Sequence, residues 1–246
     1  MFRKRPDRIR GIAGSLDNRR VLVADSVYGA GPGIARVMAE AGARVQLITP
    51  IEVDLDLQLR DLANTPEPVS GRTAPMTTLS DLTNLMGDLD PAIDAAIINP
   101  SGLDLGPSSE TTNSQLTPQS AAELATLVAT NMRDRGIEGS IVIVTGIPQR
   151  TPAGPAVAFL TAEMERLAAE SAPNAIRVNA VAPGHVAVGR RGRAVSSGAG
   201  PLGHVSVHPV EVGKAAWFFV NDDLSYGMTG STLTIDRGAS LLRPEW

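Results

Sequence analysis

Cysteine and histidine, two residue types that often bind metals or transfer protons, are few in this 246-residue sequence. It contains no cysteine, which excludes disulfides and thiolate metal sites. The three histidines are His185, His204 and His208. His185 follows a Pro-Gly turn, where it could act as a general base or simply be an exposed loop residue. His204 and His208 flank one loop with no third ligand nearby, so we expect no metal site.

A glycine-rich turn points to a second kind of chemistry, phosphate binding. The apolar run 21–24 is followed by Asp25 and then by Gly29 and Gly31, at the start of a helical pattern. Glycines at such a turn let the backbone approach a dinucleotide, whose pyrophosphate lies at the helix N-terminus. Asp25 adds bulk and negative charge there. Either its carboxylate takes the place of a phosphate, or it is a simple cap in a loop that still tolerates nucleotide.

The elements that would position these residues alternate along the chain. Apolar runs predict strands near 21–24, 44–49, 95–99, 140–145, 176–182 and 231–235. Helical spacing predicts helices from about Gly31 to Gly42 and over 118–134, 156–171 and 210–220. Residues 51–92, which follow the second predicted strand, carry no clear pattern of helix or strand. The alternation predicts a Rossmann-like, doubly wound parallel sheet in a single domain over 19–246, preceded by a basic arm over 1–18.

Composition narrows the function classes. Hydrophobic residues make up 43% and charged residues 20% of the chain, as in soluble globular proteins. The net charge of -4 argues against nucleic acid as the main partner. No apolar stretch reaches the length of a membrane span, and no secretory signal follows the basic N-terminus. We therefore expect a cytoplasmic protein without nucleic-acid or membrane partners.

Three ordered segments resemble the short-chain dehydrogenase/reductase (SDR) family. GSIVIVTG (139–146) is similar to the strand that ends at that family's catalytic serine, and IRVNAVAPG (176–184) to its sixth strand. Residues 208–238 match its C-terminal helix, loop and last strand. The resemblance implies a Rossmann fold, a dinucleotide cofactor, and a Ser-Tyr-Lys set in which tyrosine precedes lysine by four residues.

The cofactor positions that the resemblance implies are mostly altered. Gly29, Gly31 and Asn99 match the family, whereas Asp25 replaces its first glycine and Val188 its nicotinamide-binding threonine. The second strand ends at Thr49-Pro50, without the acidic residue that holds the ribose of NAD. We therefore expect no cofactor or only weak NAD(P) binding.

The catalytic positions are altered more severely. The serine position falls on Gly146, and family spacing then places the tyrosine at Phe159 and the lysine at Glu163. Phenylalanine has no proton to transfer, and glutamate reverses the helping charge. The only tyrosines are Tyr28 and Tyr226, and no lysine occurs between Lys4 and Lys214, so no shift of the alignment restores the pair. The family's usual ketoreductase mechanism is therefore not expected here.

Three functions remain open. The first is a non-catalytic subunit that forms homo- or hetero-oligomers through the helices near 118–134 and 156–171. Its partner would be an intact SDR dehydrogenase, with CoA- or carrier-bound acyl groups as one possible substrate class. The second is an isomerase, lyase or cyclase with Thr145, Arg150 and His185 as pocket residues. The third is an atypical NAD(P)-dependent oxidoreductase.

Overall fold

The computed structural model describes residues 12–25, 30–50, 52–89, 92–100, 116–147, 154–186, 199–204 and 206–241. The strands are β1 (Arg20–Asp25), β2 (Arg44–Thr49), β3 (Val69–Thr73), β4 (Ala95–Asn99), β5 (Ser140–Val144), β6 (Arg177–Pro183), β7 (Ala199–Gly200), β8 (Gly203–His204) and β9 (Thr232–Ile235). The helices are α1 (Gly31–Glu40), α2 (Glu52–Leu62), α3 (Leu79–Asp88), α4 (Pro118–Asp134), α5 (Gly154–Ser171), α6 (Pro209–Val220) and α7 (Asp222–Ser225).

Seven of the strands form one parallel sheet in the order β3-β2-β1-β4-β5-β6-β9. The strand order reverses direction between β1 and β4, so this pair marks the topological switch point of the sheet. In their register, Asp25 at the end of β1 lies beside Asn99 at the end of β4. The predicted doubly wound parallel sheet is confirmed.

The sheet separates two apolar cores because successive strand residues point to opposite faces. Leu22 and Ala24 of β1 pack into the core shared with α3, α4 and α5. Val21 and Val23 pack into the core shared with α1, α2 and α6. The long aliphatic runs are therefore those of a sheet buried on both faces.

Several local predictions are confirmed. Gly42 adopts a left-handed conformation (φ +96°) just after α1, as a C-terminal glycine does. Thr117 caps α4 by accepting a hydrogen bond from the Ser120 N–H (3.2 Å), and Pro118 occupies the first turn. The predicted span 118–134 is the observed span of α4.

The N-terminal part of the chain and residues 52–89 add to the sequence-based picture. Residues 52–89 contain α2, β3 and α3. Ile12 and Leu16 are only 4% and 3% exposed and pack beside α1. The packed domain therefore includes Ile12, earlier than the predicted start at residue 19, while residues 1–11 lie outside the described residues. None of the helices within the described ranges is both long and apolar enough to cross a membrane.

Candidate functional site

The switch-point crevice of the sheet contains a buried acid. Asp25 is 0% exposed, and Asn99 is 6% exposed. Asp25 Oδ1 accepts hydrogen bonds from Asn99 Nδ2 (2.5 Å) and from the Gly31 N–H at the start of α1 (3.2 Å). Three residues singled out in the sequence therefore meet in one contact. The structure places the Asp25 carboxylate between the ends of two neighbouring strands and the N-terminus of a helix.

Among the other predicted cofactor positions, the structure describes Thr49. Thr49 at the end of β2 is fully buried, and its carbonyl accepts a hydrogen bond from the Ala74 N–H (3.0 Å). The last residue of β2 is thus a threonine and carries no carboxylate. Gly29 and Val188 lie outside the described residues, as does Arg150 of the predicted pocket.

The ends of β5 and β6 position Thr145, Gly146 and His185. Thr145 is 2% exposed, and its hydroxyl donates a long hydrogen bond (3.4 Å) to the Val181 carbonyl on β6. Gly146 is buried and offers no side chain. His185 is half-buried, and its backbone carbonyl accepts a hydrogen bond from the Val207 N–H (2.7 Å). The Thr145 hydroxyl therefore bonds within the sheet. Of Thr145, Gly146 and His185, only His185 is partly accessible.

Helix α5 has an apolar side that packs against the protein core and β6. Along this side Val157, Leu160 and Met164 are fully buried, and Leu167 is 4% exposed. The spacing i, i+3, i+7, i+10 makes them one continuous stripe. This side of α5 has no titratable group among the residues that the structure describes.

Phe159 and Glu163 lie on a different side of α5, towards α4. There they line a groove of about 240 Å³, which we call the α4–α5 groove. Its lining residues are Leu79, Gln119, Ala122, Glu123, Thr126, Leu127, Phe159, Glu163 and Arg166. The two residues that family spacing assigns to proton transfer therefore belong to an outer face shared by two helices.

Charges in the α4–α5 groove are paired along α5. Arg166 donates to Glu163 Oε2 (2.8 Å) and to Glu170 Oε2 (2.6 Å). These hydrogen bonds, first with Glu163 and then with Glu170, raise the pKa of Arg166 further. Glu123 on α4 accepts only from the neutral amide of Gln119 (3.1 Å) and pairs with no cation in the described part of the chain. Glu163 thus pairs with Arg166, a partner that the sequence-based interpretation did not name.

A polar cluster at the start of α6 was also missed from the sequence. His208 caps α6: its side-chain Nδ1 accepts a hydrogen bond from the Val210 N–H (3.2 Å), and its backbone N–H donates to Glu211 Oε2 (2.6 Å). Glu211 Oε1 pairs with Arg237 (2.6 Å), a residue in the left-handed region (φ +56°) at the end of β9. The spacing of His208 and Glu211 is that of a capping box and was the available signal. These contacts give His208 a structural role.

Solved structures resemble this fold over nearly the whole chain. A short-chain type dehydrogenase/reductase from Mycobacterium marinum matches with a TM-score of 0.77 and 23% identity, covering 92% of this chain and 97% of its own. A short chain dehydrogenase from Mycobacterium smegmatis matches at 0.70 and 22%, covering 91% and 93%. A 3-oxoacyl-[acyl-carrier protein] reductase with bound NAD from Brucella melitensis matches at 0.76 and 20%, covering 92% and 93%.

Sequence comparison assigns the family. No curated protein matches this chain in sequence. The family model described as enoyl-(acyl carrier protein) reductase matches residues 24–240, which is most of the chain. Together with the shared seven-stranded sheet, this match shows that the chain belongs to the short-chain dehydrogenase/reductase family.

Proposed function

We propose that this chain is a family member without its own hydride-transfer chemistry, which works as a structural or regulatory subunit of an intact SDR dehydrogenase. The partner would contribute the Tyr-Lys pair and the dinucleotide. This chain would contribute the surface of α4 and α5. The chain retains the family fold, but fold alone does not determine activity.

The main support for this proposal is which side chains α5 directs inward and which it directs towards the groove. The side of this helix that packs inward is aliphatic from Val157 to Leu167, and Phe159 and Glu163 face the α4–α5 groove. A general acid must lie within hydrogen-bond reach of the reacting oxygen. The sequence contains no tyrosine between Tyr28 and Tyr226 and no lysine between Lys4 and Lys214. Phe159 and Glu163 therefore support a binding surface better than a proton-transfer site.

The α4–α5 groove has features of an unfilled contact surface. Leu79 at its rim is 56% exposed, and Leu127 and Phe159 are only partly buried. When a partner removes exposed apolar side chains from water, the free energy of the complex is lowered, which favours association. Glu123 has no cationic partner among the described residues, so a partner with a basic side chain opposite it would add electrostatic complementarity.

The substrate class of the partner is inferred from the comparisons. The matching family model is named for enoyl-(acyl carrier protein) reductase, and one similar structure is a 3-oxoacyl-[acyl-carrier protein] reductase. These names support an acyl group on a carrier protein as the substrate of the assembly.

The test is purification of the tagged chain from its own host, followed by native mass spectrometry. We expect a mixed complex containing a second SDR chain with an intact Tyr-Lys pair, and NAD(P)H-dependent acyl reduction by the complex. The Phe159→Lys variant should dissociate the complex, because it places a charge in the groove. The matched control is Tyr226→Lys, at a side chain 71% exposed and outside the groove, which should leave the complex intact.

Two results would contradict the proposal. One is a chain that reduces acyl substrates with NAD(P)H when purified alone. The other is a strict homo-oligomer whose composition and activity are the same in the wild type and in the Phe159→Lys variant. The second result would favour non-redox chemistry within this chain.

A further inference from the structure

Membership of this family implies a dinucleotide cofactor, and the residues of the switch-point crevice show whether one would fit. In open α/β sheets, ligands bind outside the carboxyl ends of the strands where the strand order reverses. Here that place lies between β1 and β4, whose last residues, Asp25 and Asn99, are register partners. The 2.5 Å hydrogen bond from Asn99 Nδ2 to Asp25 Oδ1 spans the crevice itself.

The position of the carboxyl group relative to α1 is set by close packing. A Cβ atom added at Gly31 would lie 2.1 Å from Asp25 Cγ and 2.2 Å from Asp25 Oδ2. The carboxyl group therefore rests directly on the first residue of the helix, and glycine is required there by the side chain of Asp25. In the dinucleotide-binding arrangement, backbone at this turn is left bare so that a pyrophosphate can approach. In this chain the Asp25 carboxyl group already fills the space beside Gly31 that a pyrophosphate would approach.

Helix α1 provides a second, independent indication. Its N-cap residue is Ala30, which has no side-chain acceptor, and its first turn contains no acidic residue. Unbonded N–H groups at a helix N-terminus favour an anion or a capping oxygen. Asp25 lies six residues before Gly31 in sequence, yet its carboxylate accepts from the Gly31 N–H. The anion that this helix end favours is therefore supplied by the preceding strand.

We propose that Asp25 is a built-in anion that closes the dinucleotide site of this chain by occupying the seat of a cofactor phosphate. A bound dinucleotide would have to displace a fully buried carboxylate from its hydrogen bonds with the Gly31 N–H and Asn99. Its phosphates would also approach a like charge. The residues present do not fit the cofactor. This inference does not depend on the proposed association, since a closed crevice is compatible with any function exerted elsewhere on the chain.

The experiment measures binding of NADH, ADP and inorganic pyrophosphate to the full chain by calorimetry and by thermal shift. The wild-type protein is expected to bind none of them at millimolar concentration. The Asp25→Gly variant removes the carboxylate from the proposed phosphate position. It should bind ADP and pyrophosphate at least tenfold more tightly than the wild type. The Asp25→Asn variant keeps the shape and removes the charge, so it should remain closed and not gain this affinity.

Each alternative result overturns the inference. Micromolar NADH or ADP binding by the wild type would mean that Asp25 does not close the crevice. A folded Asp25→Gly variant that binds neither ADP nor pyrophosphate would mean that no phosphate seat lies beneath it. An Asp25→Asn variant that binds as well as Asp25→Gly would assign exclusion to charge alone. If Asp25→Gly does not fold, Asp25→Ser carries the same expectation, because it removes bulk and charge but keeps a capping oxygen.

Discussion

The acidic side chains of the switch-point crevice and of the α4–α5 groove differ in burial and in their hydrogen-bond partners. In the crevice, Asp25 is fully buried and bonded by Asn99 and by the backbone of α1. In the groove, Glu123 accepts from a neighbouring amide and lies near partly exposed apolar side chains. The buried acid bonds within its own chain, whereas the groove leaves apolar side chains partly exposed, where we propose that a partner binds. Substitutions in the crevice should therefore change folding, and substitutions in the groove should change association.

The largest effect on folding is expected from Asn99→Leu. This change removes the donor that bonds Asp25 Oδ1 at 2.5 Å and leaves a buried carboxylate with weaker compensation. Loss of a charged, buried hydrogen bond costs about 3 kcal/mol. Urea denaturation at neutral pH measures the change in the free energy of unfolding. The matched groove variant is Gln119→Leu, which removes the bond to Glu123 and should change stability by less than about 0.5 kcal/mol. Equal losses in both variants would remove the distinction between the two regions.

The next effect concerns the contact that holds α1 beside the crevice. A Cβ atom at Gly33 would lie 2.3 Å from the Pro209 carbonyl carbon, so α1 and α6 meet backbone to backbone. Gly33→Ala should destabilise the chain by about 2 kcal/mol, because α6 must shift. Gly87→Ala in α3 is the control: nothing lies within 4 Å of its added Cβ, and alanine favours the helix by up to about 1 kcal/mol. Thermal melts of both variants should shift in opposite directions; a downward shift in both would contradict this packing argument.

The elements that sequence reasoning predicted are those with a continuous local pattern. The strands β1, β4 and β5 are wholly or almost wholly buried and read as aliphatic runs. The edge strand β3 (VSGRT) has no fully buried residue and therefore no such run. Helix α2 has an alternating sequence, EVDLDLQLRDL, which resembles a strand. Its helical spacing becomes visible only once Leu55 and Leu62 are seen in the core beside Leu59.

The candidate site was predicted only in part, for two physical reasons. The sequence left two roles for Asp25, because the reach of a side chain across a turn depends on where the turn places α1. The assignment of Phe159 and Glu163 rested on counting residues across a loop. Helical spacing within α5 predicts its apolar stripe, but the groove that these two residues share with α4 depends on how the two helices pack. The salt-bridge pattern Glu163, Arg166, Glu170 was visible as i, i+3 and i, i+4 spacing. The Gln119–Glu123 hydrogen bond, at i, i+4 spacing on α4, is a second groove contact that the sequence alone could have supplied.

A smaller, pH-dependent effect is expected at the end of β9. Burial would raise the pKa of Asp236, but hydrogen bonds from the Ser240 side chain and from the N–H groups of Ser240 (2.6 Å) and Gly238 (2.9 Å) outweigh burial and lower it. Because the folded-state pKa is lowered, its contribution to stability is present above the unfolded value of about 4 and is lost as the pH falls below it.

Asp236→Asn tests this sign. The amide has one acceptor oxygen for two N–H donors, so the variant should lose about 1 kcal/mol at pH 7. The difference from the wild type should shrink as the pH falls from about 4 towards 3, measured by urea denaturation at each pH. Asp81→Asn serves as a control at an exposed helix cap, where hydrogen bonds from Thr78 also lower the pKa. A difference for Asp236→Asn that grows at low pH would contradict the assignment.

The smallest effect on folding should come from the charges of the α4–α5 groove. Arg166 is 43% exposed, and its two ion pairs with Glu163 and Glu170 lie along one helix. Exposed pairs of this spacing contribute about 0.5 kcal/mol and are screened by salt. Arg166→Ala should therefore lower the free energy of unfolding by about that amount in low salt, and by less in 1 M NaCl. A loss of several kcal/mol that persists in high salt would mean that Arg166 supports the fold as Asn99 does. The groove would then be a structural element of this chain, and its availability to a partner would lose its physical basis.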